Sequence, residues 1–164
     1  MEQKLNIIGI DNLSKDIFVG LAVGVLLIVM NILGLFSLAL PPVLNVFQTN
    51  IGKLAVIVLV APIIEEIFFR SVLSTYLYRK LPLFLVAILQ GFFFASFHLI
   101  AYSGVPLESF ELSSVLIVGG AFLSAWLFGF AMTFLSRKTN NLLTTIIPHA
   151  MINFWLVKGL LVIV

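Results

Sequence analysis

The sequence predicts an all-α fold, a polytopic transmembrane helix bundle with about five spans and a cytoplasmic N-terminus. Of the 164 residues, 62% are hydrophobic and only 10% are charged, and the mean hydropathy is +1.22. These values lie far from those of a soluble domain. At about 20 residues per crossing, the apolar residues form five candidate spans. The spans cover residues 17–40, 51–78, 83–102, 112–136 and 142–164.

The first span is too long for the apolar core of a cleaved signal peptide, and we interpret it as a retained anchor. Its Gly20 and Gly24 form a GxxxG pattern, which can mark close packing between membrane helices. Short segments rich in Pro, Gly, Asn or charged residues separate the later spans, as expected of turns at the membrane surface. No soluble domain or long linker is predicted.

The distribution of basic residues predicts the orientation, because cytoplasmic loops carry an excess of Lys and Arg. The basic residues of the N-terminus and of the loops after the second and fourth spans are Lys4, Lys15, Arg79, Lys80, Arg137 and Lys138. The loop with Glu108 and Glu111 has no basic residue, and the first loop has only Lys53 at its far edge. The N-terminus is therefore predicted inside and the C-terminus outside, in a multi-pass cell-membrane protein, with Lys158 extending towards the outer surface.

Composition also limits the chemistry. The formal net charge of +2 is small and dispersed, which argues against a nucleic-acid partner. The chain has no cysteine, which excludes disulfides, thiolate nucleophiles and Cys-based metal sites. Any catalysis must use Glu, His, Asn, Ser or Arg.

The segment "APIIEEIFFR" places three charged residues inside the second span. Each charge at a bilayer centre costs about 2.5 to 3.5 kcal/mol on insertion scales, so these residues need partners. Glu66 and Arg70 stand at i and i+4, the spacing of an ion pair on one helix face. Glu65 points about 100° away from Glu66 and needs a partner from another helix.

The only two histidines of the chain both lie in predicted spans. "FFFASFH" puts Phe94 and His98 on one helix face, and "HAMIN" does the same for His149 and Asn153. We interpret the histidines as candidate site residues and Phe94 as a candidate pocket wall. Two further polar residues of the spans are interpreted as contacts between helices; they are Asn31 and Gln90.

Pro148 allows two interpretations of the fifth helix. The helix could begin near Thr145, which would put His149 in its first turn and aim free N–H groups at the site. Alternatively, Pro148 could introduce a kink in a longer helix.

Taken together, the motifs resemble the CPBP family of intramembrane proteases, which includes the type II CAAX prenyl endopeptidases and the bacterial Abi (bacteriocin-processing) proteins. The family motifs EExxxR, FxxxH and Hxxx(N/D) occur in that order, each on a separate predicted helix. They are carried by Glu65, Glu66 and Arg70, by Phe94 and His98, and by His149 and Asn153. We therefore divide the chain into an N-terminal segment with the first helix, residues 1–50, and a catalytic helix bundle, residues 51–164.

The resemblance implies hydrolysis of a peptide bond in a membrane-anchored or hydrophobic peptide, of CaaX type or of leader or bacteriocin type. It implies that Glu65 and His98 hold and activate a water, and that His149 and Asn153 stabilise the oxyanion. The supporting residues are Glu66, Arg70 and Phe94.

Two alternatives accompany this expectation of a peptidase without a cofactor. Two histidines and a glutamate are also sufficient for a catalytic Zn²⁺, which Glu65, His98 and His149 would hold, although no HExxH motif is present. A non-catalytic membrane immunity or transport protein is the other alternative.

Overall fold

The computed structural model describes residues 12–34, 51–100 and 112–161. These residues are almost entirely helical and contain no β-strand, which confirms the all-α fold class. The helices are α1 (Leu13–Ile32), α2 (residues 51–78), α3 (Leu83–Ile100), α4 (Leu112–Thr139) and α5 (Leu143–Leu161).

Within the described ranges, two helices are long and apolar enough to cross a membrane by themselves, Leu13–Ile32 and Val118–Thr139. The apolar parts of α3 and α5 are shorter, Leu83–Leu99 and Leu143–Val157. Five crossings therefore stay a prediction, as does the cytoplasmic N-terminus.

Helix α1 ends earlier than the sequence predicts. It stops at Ile32, and Gly34 then adopts a left-handed backbone with φ of 70°. Glycine takes this conformation without the steric penalty that a side chain imposes, so it is a common helix stop. Residues 35–40 of the predicted span lie outside the described ranges, as do Lys4, Glu108 and Glu111.

Helix α2 contains two widened, π-helical turns, Val56–Val60 and Ile67–Leu73. Between them lies a short α-helical segment, Ala61–Glu66, that ends in the two glutamates. In the first widened turn the Ala61 N–H donates to the Val56 carbonyl, five residues back. Widened turns of this kind occur often at functional sites.

Helices α3 and α4 approach each other closely where two glycines meet. A Cβ atom at Gly91 would lie 2.5 Å from the carbonyl oxygen of Trp126, and one at Gly129 would lie 2.9 Å from the Cα of Gly91. Only glycine permits this approach. It brings Phe94 of α3 and Phe128 of α4 into one core, which also contains Phe69 of α2.

Helices α1 and α5 run parallel, because contacts advance along both helices together. A Cβ at Gly20 would lie 3.0 Å from the Cβ of Ile147, and one at Gly24 would overlap the Met151 side chain one helical turn further along. The GxxxG pattern therefore marks a close helix contact, as the sequence predicts.

Both predicted polar contacts between helices are present. The indole N–H of Trp155 on α5 donates to the Asn31 side chain on α1 at 3.1 Å. On α3, Gln90 donates from Nε2 to the Phe69 carbonyl at 2.8 Å and to the Ser74 hydroxyl at 3.0 Å. These bonds attach α3 to the second widened turn of α2.

Candidate active site

Three helices bring Glu65, His98 and His149 together. The Nε2 atoms of His98 and His149 each lie 3.7 Å from Oε2 of Glu65. One potential ligand atom from each residue lies within 4.8 Å of the other two. Two imidazoles, from α3 and α5, thus face Glu65 from other helices, but at 3.7 Å neither forms a hydrogen bond to it, and Oε2 of Glu65 has no hydrogen-bond partner among the described residues.

The ring orientation of His149 is fixed by Glu66. Nδ1 of His149 lies 2.9 Å from Oε1 of Glu66, and Oε2 of Glu66 lies 3.2 Å from Nε of Arg70. A carboxylate paired with a guanidinium accepts hydrogen bonds, so Nδ1 of His149 carries the proton and donates. In the neutral imidazole, Nε2 therefore presents its lone pair to Glu65.

The ring of His98 is fixed in the same sense by its own helix. Its Nδ1 lies 2.8 Å from the backbone carbonyl of Phe94, which can only accept. Nδ1 therefore donates, and Nε2 again presents a lone pair towards Glu65. The Phe94 ring lies 4.3 Å from the His98 ring and 5.6 Å from the His149 ring, between centroids. Phe94 therefore forms a wall shared by both histidines.

The predicted ion pair of Glu66 and Arg70 is present, and both side chains are fully buried. The Arg70 guanidinium also lies 5.0 Å from the centre of the Phe94 ring and 5.7 Å from that of Phe69. Nε of Arg70 and Oε2 of Glu66 lie 3.2 Å apart but form no hydrogen bond with each other or with any other described residue. The pair is therefore held by charge attraction and by the aromatic faces.

Asn153 contacts the first widened turn of α2. Its Nδ2 donates to the carbonyl of Ile57 at 3.1 Å. This carbonyl lacks a helical donor because the Ala61 N–H goes to Val56 and Pro62 has no N–H. Asn153 therefore joins α5 to α2, and one of its two amide hydrogens is left for the predicted oxyanion role.

Helix α5 begins at Leu143, so the first interpretation of Pro148, a start near Thr145, is wrong. The side chain of Asn141 accepts from the Leu143 N–H at 3.0 Å and caps the helix there. His149 consequently lies in the second turn, and Pro148 lies inside the helix. The free N–H groups at the helix start are thus not aimed at the site.

The two sides of the cluster differ in exposure. The side chain of His98 is 31% exposed and that of Glu65 is 19% exposed. The side chains of His149 and Glu66 are 4% and 0% exposed. A substrate that approaches the described part of the bundle can therefore reach Glu65 and His98 first.

The donor set also fits a metal ion. The ligands of a tetrahedral Zn²⁺ at about 2 Å lie roughly 3.3 Å from one another, and the two histidine nitrogens lie 3.7 Å from the Glu65 oxygen. Both nitrogens present lone pairs, as metal ligation requires. Glu66 and Phe94 would be the groups that orient the two ligand rings.

The contact of Glu66 with His149 does not follow from the sequence, because spacing along one helix says nothing about a partner 83 residues away. The position of Phe128, whose ring lies 5.0 Å from the His149 ring, does not follow from it either. Nothing in the sequence distinguishes this phenylalanine from the other fifteen. Asn141 could have been found, since Asn in a turn before an apolar run is typical of a helix cap.

A carboxylate and two imidazoles contributed by separate apolar helices are the components of a hydrolytic site inside a helix bundle. A family model described as type II CAAX prenyl endopeptidase Rce1-like matches residues 47–155. The match covers more than half of the chain, and the chain belongs to this family, which is a family of membrane proteases. The match includes all three motifs on which the resemblance rests. Comparisons with curated proteins and with solved structures gave no match.

Arg70→Ala should destabilise the protein strongly. The change leaves Glu66 as a buried carboxylate without its cation, and breaking a buried pair costs about 3 to 5 kcal/mol in soluble proteins. Thermal unfolding in detergent should show a lower melting temperature for Arg70→Ala than for the wild type. Lys138→Ala, which removes an exposed basic residue, is the control and should unfold like the wild type. Equal melting temperatures for Arg70→Ala and Lys138→Ala would contradict the assignment.

Proposed function

We propose that this protein is an intramembrane endopeptidase that hydrolyses a peptide bond of a membrane-anchored or hydrophobic peptide. The observation that carries the proposal is the position of the Glu65 carboxylate, 3.7 Å from Nε2 of both His98 and His149. Such a cluster is too costly in an apolar bundle to be incidental. Membership of a protease family supports the same conclusion.

In the proposed mechanism a water molecule lies beside Glu65 and His98, the two exposed members of the cluster. Glu65 accepts a proton from this water while the water oxygen bonds to the carbonyl carbon of the substrate. His98 orients the water through its Nε2 lone pair. The proton then passes to the peptide nitrogen as the C–N bond breaks, which releases the amine and regenerates the Glu65 carboxylate.

His149 and Asn153 are proposed to stabilise the oxyanion of the tetrahedral intermediate. With Nδ1 donating to Glu66, His149 can also donate from Nε2 only as an imidazolium. In that form it would balance the charge of the cluster, because Glu65 and Glu66 carry two negative charges and Arg70 carries one positive charge. Asn153 would use the amide hydrogen that does not bond to Ile57.

A zinc-dependent version of the same peptidase is the second candidate. The specific observation in its favour is that Glu65, His98 and His149 converge with lone pairs on both Nε2 atoms. When bound, the ion would supply Lewis acidity for water activation. Glu66 would then keep the His149 ring in its ligating tautomer.

We further propose five membrane crossings with a cytoplasmic N-terminus, in the cell membrane. The parallel packing of α1 and α5 supports this, since the first and fifth of five crossings run in the same direction. A cysteine-free chain makes the orientation simple to test with single cysteines at Lys80, Lys138 and Glu108. The first two should label from the cytoplasm and the third from outside, and the reverse labelling would contradict the orientation.

The substrate is proposed to be a CaaX-type protein, with a leader or bacteriocin-like peptide as the alternative. The family description favours the first. Comparing the membrane proteome of cells with and without the protein should reveal the new terminus that identifies the substrate. A bond close to a prenylated C-terminus would support the CaaX type, and a bond after a leader segment would support the alternative.

Glu65→Gln should abolish peptide cleavage without unfolding the protein. The change is nearly isosteric and removes only the carboxylate that accepts the proton. Purified variant and wild type should show similar melting temperatures, while the variant should lose cleavage of a membrane-anchored peptide. Glu111→Gln, in the predicted outer loop, is the matched control. Wild-type turnover by Glu65→Gln would overturn the mechanism, and a wild type without cleavage would favour an immunity or transport protein.

Elemental analysis together with chelation separates the two peptidase candidates. Under the metal-free mechanism, purified protein holds no stoichiometric transition metal, and prolonged treatment with a membrane-permeant chelator leaves cleavage intact. Under this mechanism Asn153→Ala should also lower kcat by about 10²-fold to 10³-fold, the usual cost of losing one oxyanion donor. Activity that is lost with chelator and restored by Zn²⁺ would instead make His149 a metal ligand.

A further inference from the structure

Helix α1 packs along α5, the helix that carries His149 and Asn153. Contacts between them extend from the start of α1 to its last turn. Helix α1 lies outside residues 47–155, the range that the family model matches. The proposed function assigns it no role, so its attachment to the helix of the site needs a separate explanation.

A polar contact joins the two helices near their N-terminal ends. Nδ2 of Asn141 donates to Oδ2 of Asp16 at 2.7 Å, and both side chains are buried. The other side-chain atom of Asn141, Oδ1, accepts the Leu143 N–H that begins α5. One asparagine therefore ties the first residue of α5 to the first turn of α1.

Between these polar ends, α1 and α5 pack closely through two glycines and two apolar side chains. Gly20 faces Ile147, and Gly24 faces Met151 so closely that a Cβ would overlap the methionine side chain. Ile147 and Met151 lie two residues before and after His149, which is about 200° around the helix axis. Helix α1 therefore supports the face of α5 that is opposite the site.

The geometry of the site depends on the position of α5 relative to α2. His149 must keep its 2.9 Å bond to Glu66, and Asn153 must keep its 3.1 Å bond to Ile57. Both partners are on α2, so a shift of α5 relative to α2 changes both bonds. In enzymes a displacement of about 1 Å can cost about 10²-fold in rate.

We propose that α1 is a positioning helix for the peptidase site: through Asp16, Gly20 and Gly24 it sets the location of α5 and thereby of His149. The inference rests on the proposed function for its kinetic consequences. Its structural consequence, the position of His149 relative to Glu66, holds whether or not the protein cleaves peptides. None of the three α1 residues is proposed to touch substrate.

A paired substitution tests the apolar fit. Gly24→Val should push α5 away from α1 and lower kcat tenfold or more, with little change in KM. Adding Met151→Ala makes room for the valine and should restore most of kcat. Gly119→Val is the matched control, because a Cβ at Gly119 meets no atom of the described residues within 4 Å. Wild-type kcat in folded Gly24→Val, or no recovery in the double variant, would overturn the proposal.

The polar contact gives a second test that does not depend on how Gly24→Val folds. Asp16→Asn keeps a carbonyl oxygen that can accept from Asn141, whereas Asp16→Ala removes the acceptor. The proposal predicts that Asp16→Ala lowers kcat and that Asp16→Asn retains it. Equal kcat values for the two variants would contradict it.

A spectroscopic measurement separates failure of this inference from failure of the proposed function. The NMR signal of the His149 Nδ1 proton reports its bond to Glu66 in an inactive protein as well as in an active one. It should shift in Gly24→Val, return in the double variant, and stay unchanged in Gly119→Val. An unchanged signal in Gly24→Val refutes the positioning role. A shifted signal in Gly24→Val, together with a wild type that cleaves no peptide, supports the positioning role and contradicts the proposed peptidase.

Discussion

The hydrogen bond from Nδ1 of His149 to Glu66 is the interaction on which the rest of the site depends. It connects α5 to α2, it uses a carboxylate that Arg70 holds in place, and it leaves Nε2 of His149 facing Glu65. This arrangement gives each of the two adjacent glutamates a separate role. Glu66 supports the site from the buried side, and Glu65 faces the side that a substrate can reach.

The widened turns of α2 follow from the same arrangement. They flank the short helical segment that ends in the glutamates, and in each turn a carbonyl accepts a hydrogen bond from a side chain of another helix. Asn153 of α5 bonds to Ile57 in the first turn, and Gln90 of α3 bonds to Phe69 in the second. The Ile57 carbonyl has no helical donor, and leaving it unsatisfied in an apolar interior would cost several kcal/mol. The Phe69 carbonyl already accepts the Ser74 N–H, and its bond to Gln90 attaches α3 to α2.

Much of this arrangement could be predicted from local spacing. Helix positions followed from apolar stretches, the ion pair of Glu66 and Arg70 from their i, i+4 spacing, and the contact at Gly20 and Gly24 from the GxxxG pattern. The convergence of Glu65 with both histidines was expected only from the cost of burying each of them and from the resemblance to a family.

The other features of the fold and the site depend on contacts that the spacing of residues along one helix does not reveal. The bond of Glu66 to His149 and the bond of Asp16 to Asn141 join residues far apart in the chain. The start of α5 at Leu143 depends on a cap by Asn141, which outweighs the tendency of Pro148 to begin a helix. The first widened turn depends on Pro62, which has no N–H, and on Asn153, which supplies the missing donor to Ile57.

The most direct test of the account is the protonation of the two imidazoles. Because the chain has only two histidines, ¹⁵N-histidine labelling in detergent gives a simple NMR spectrum, and a His98→Gln sample assigns the two rings. The account predicts a proton on Nδ1 of both histidines, held by the Phe94 carbonyl in one and by Glu66 in the other. A ring with a bare Nδ1 and a protonated Nε2 would contradict it.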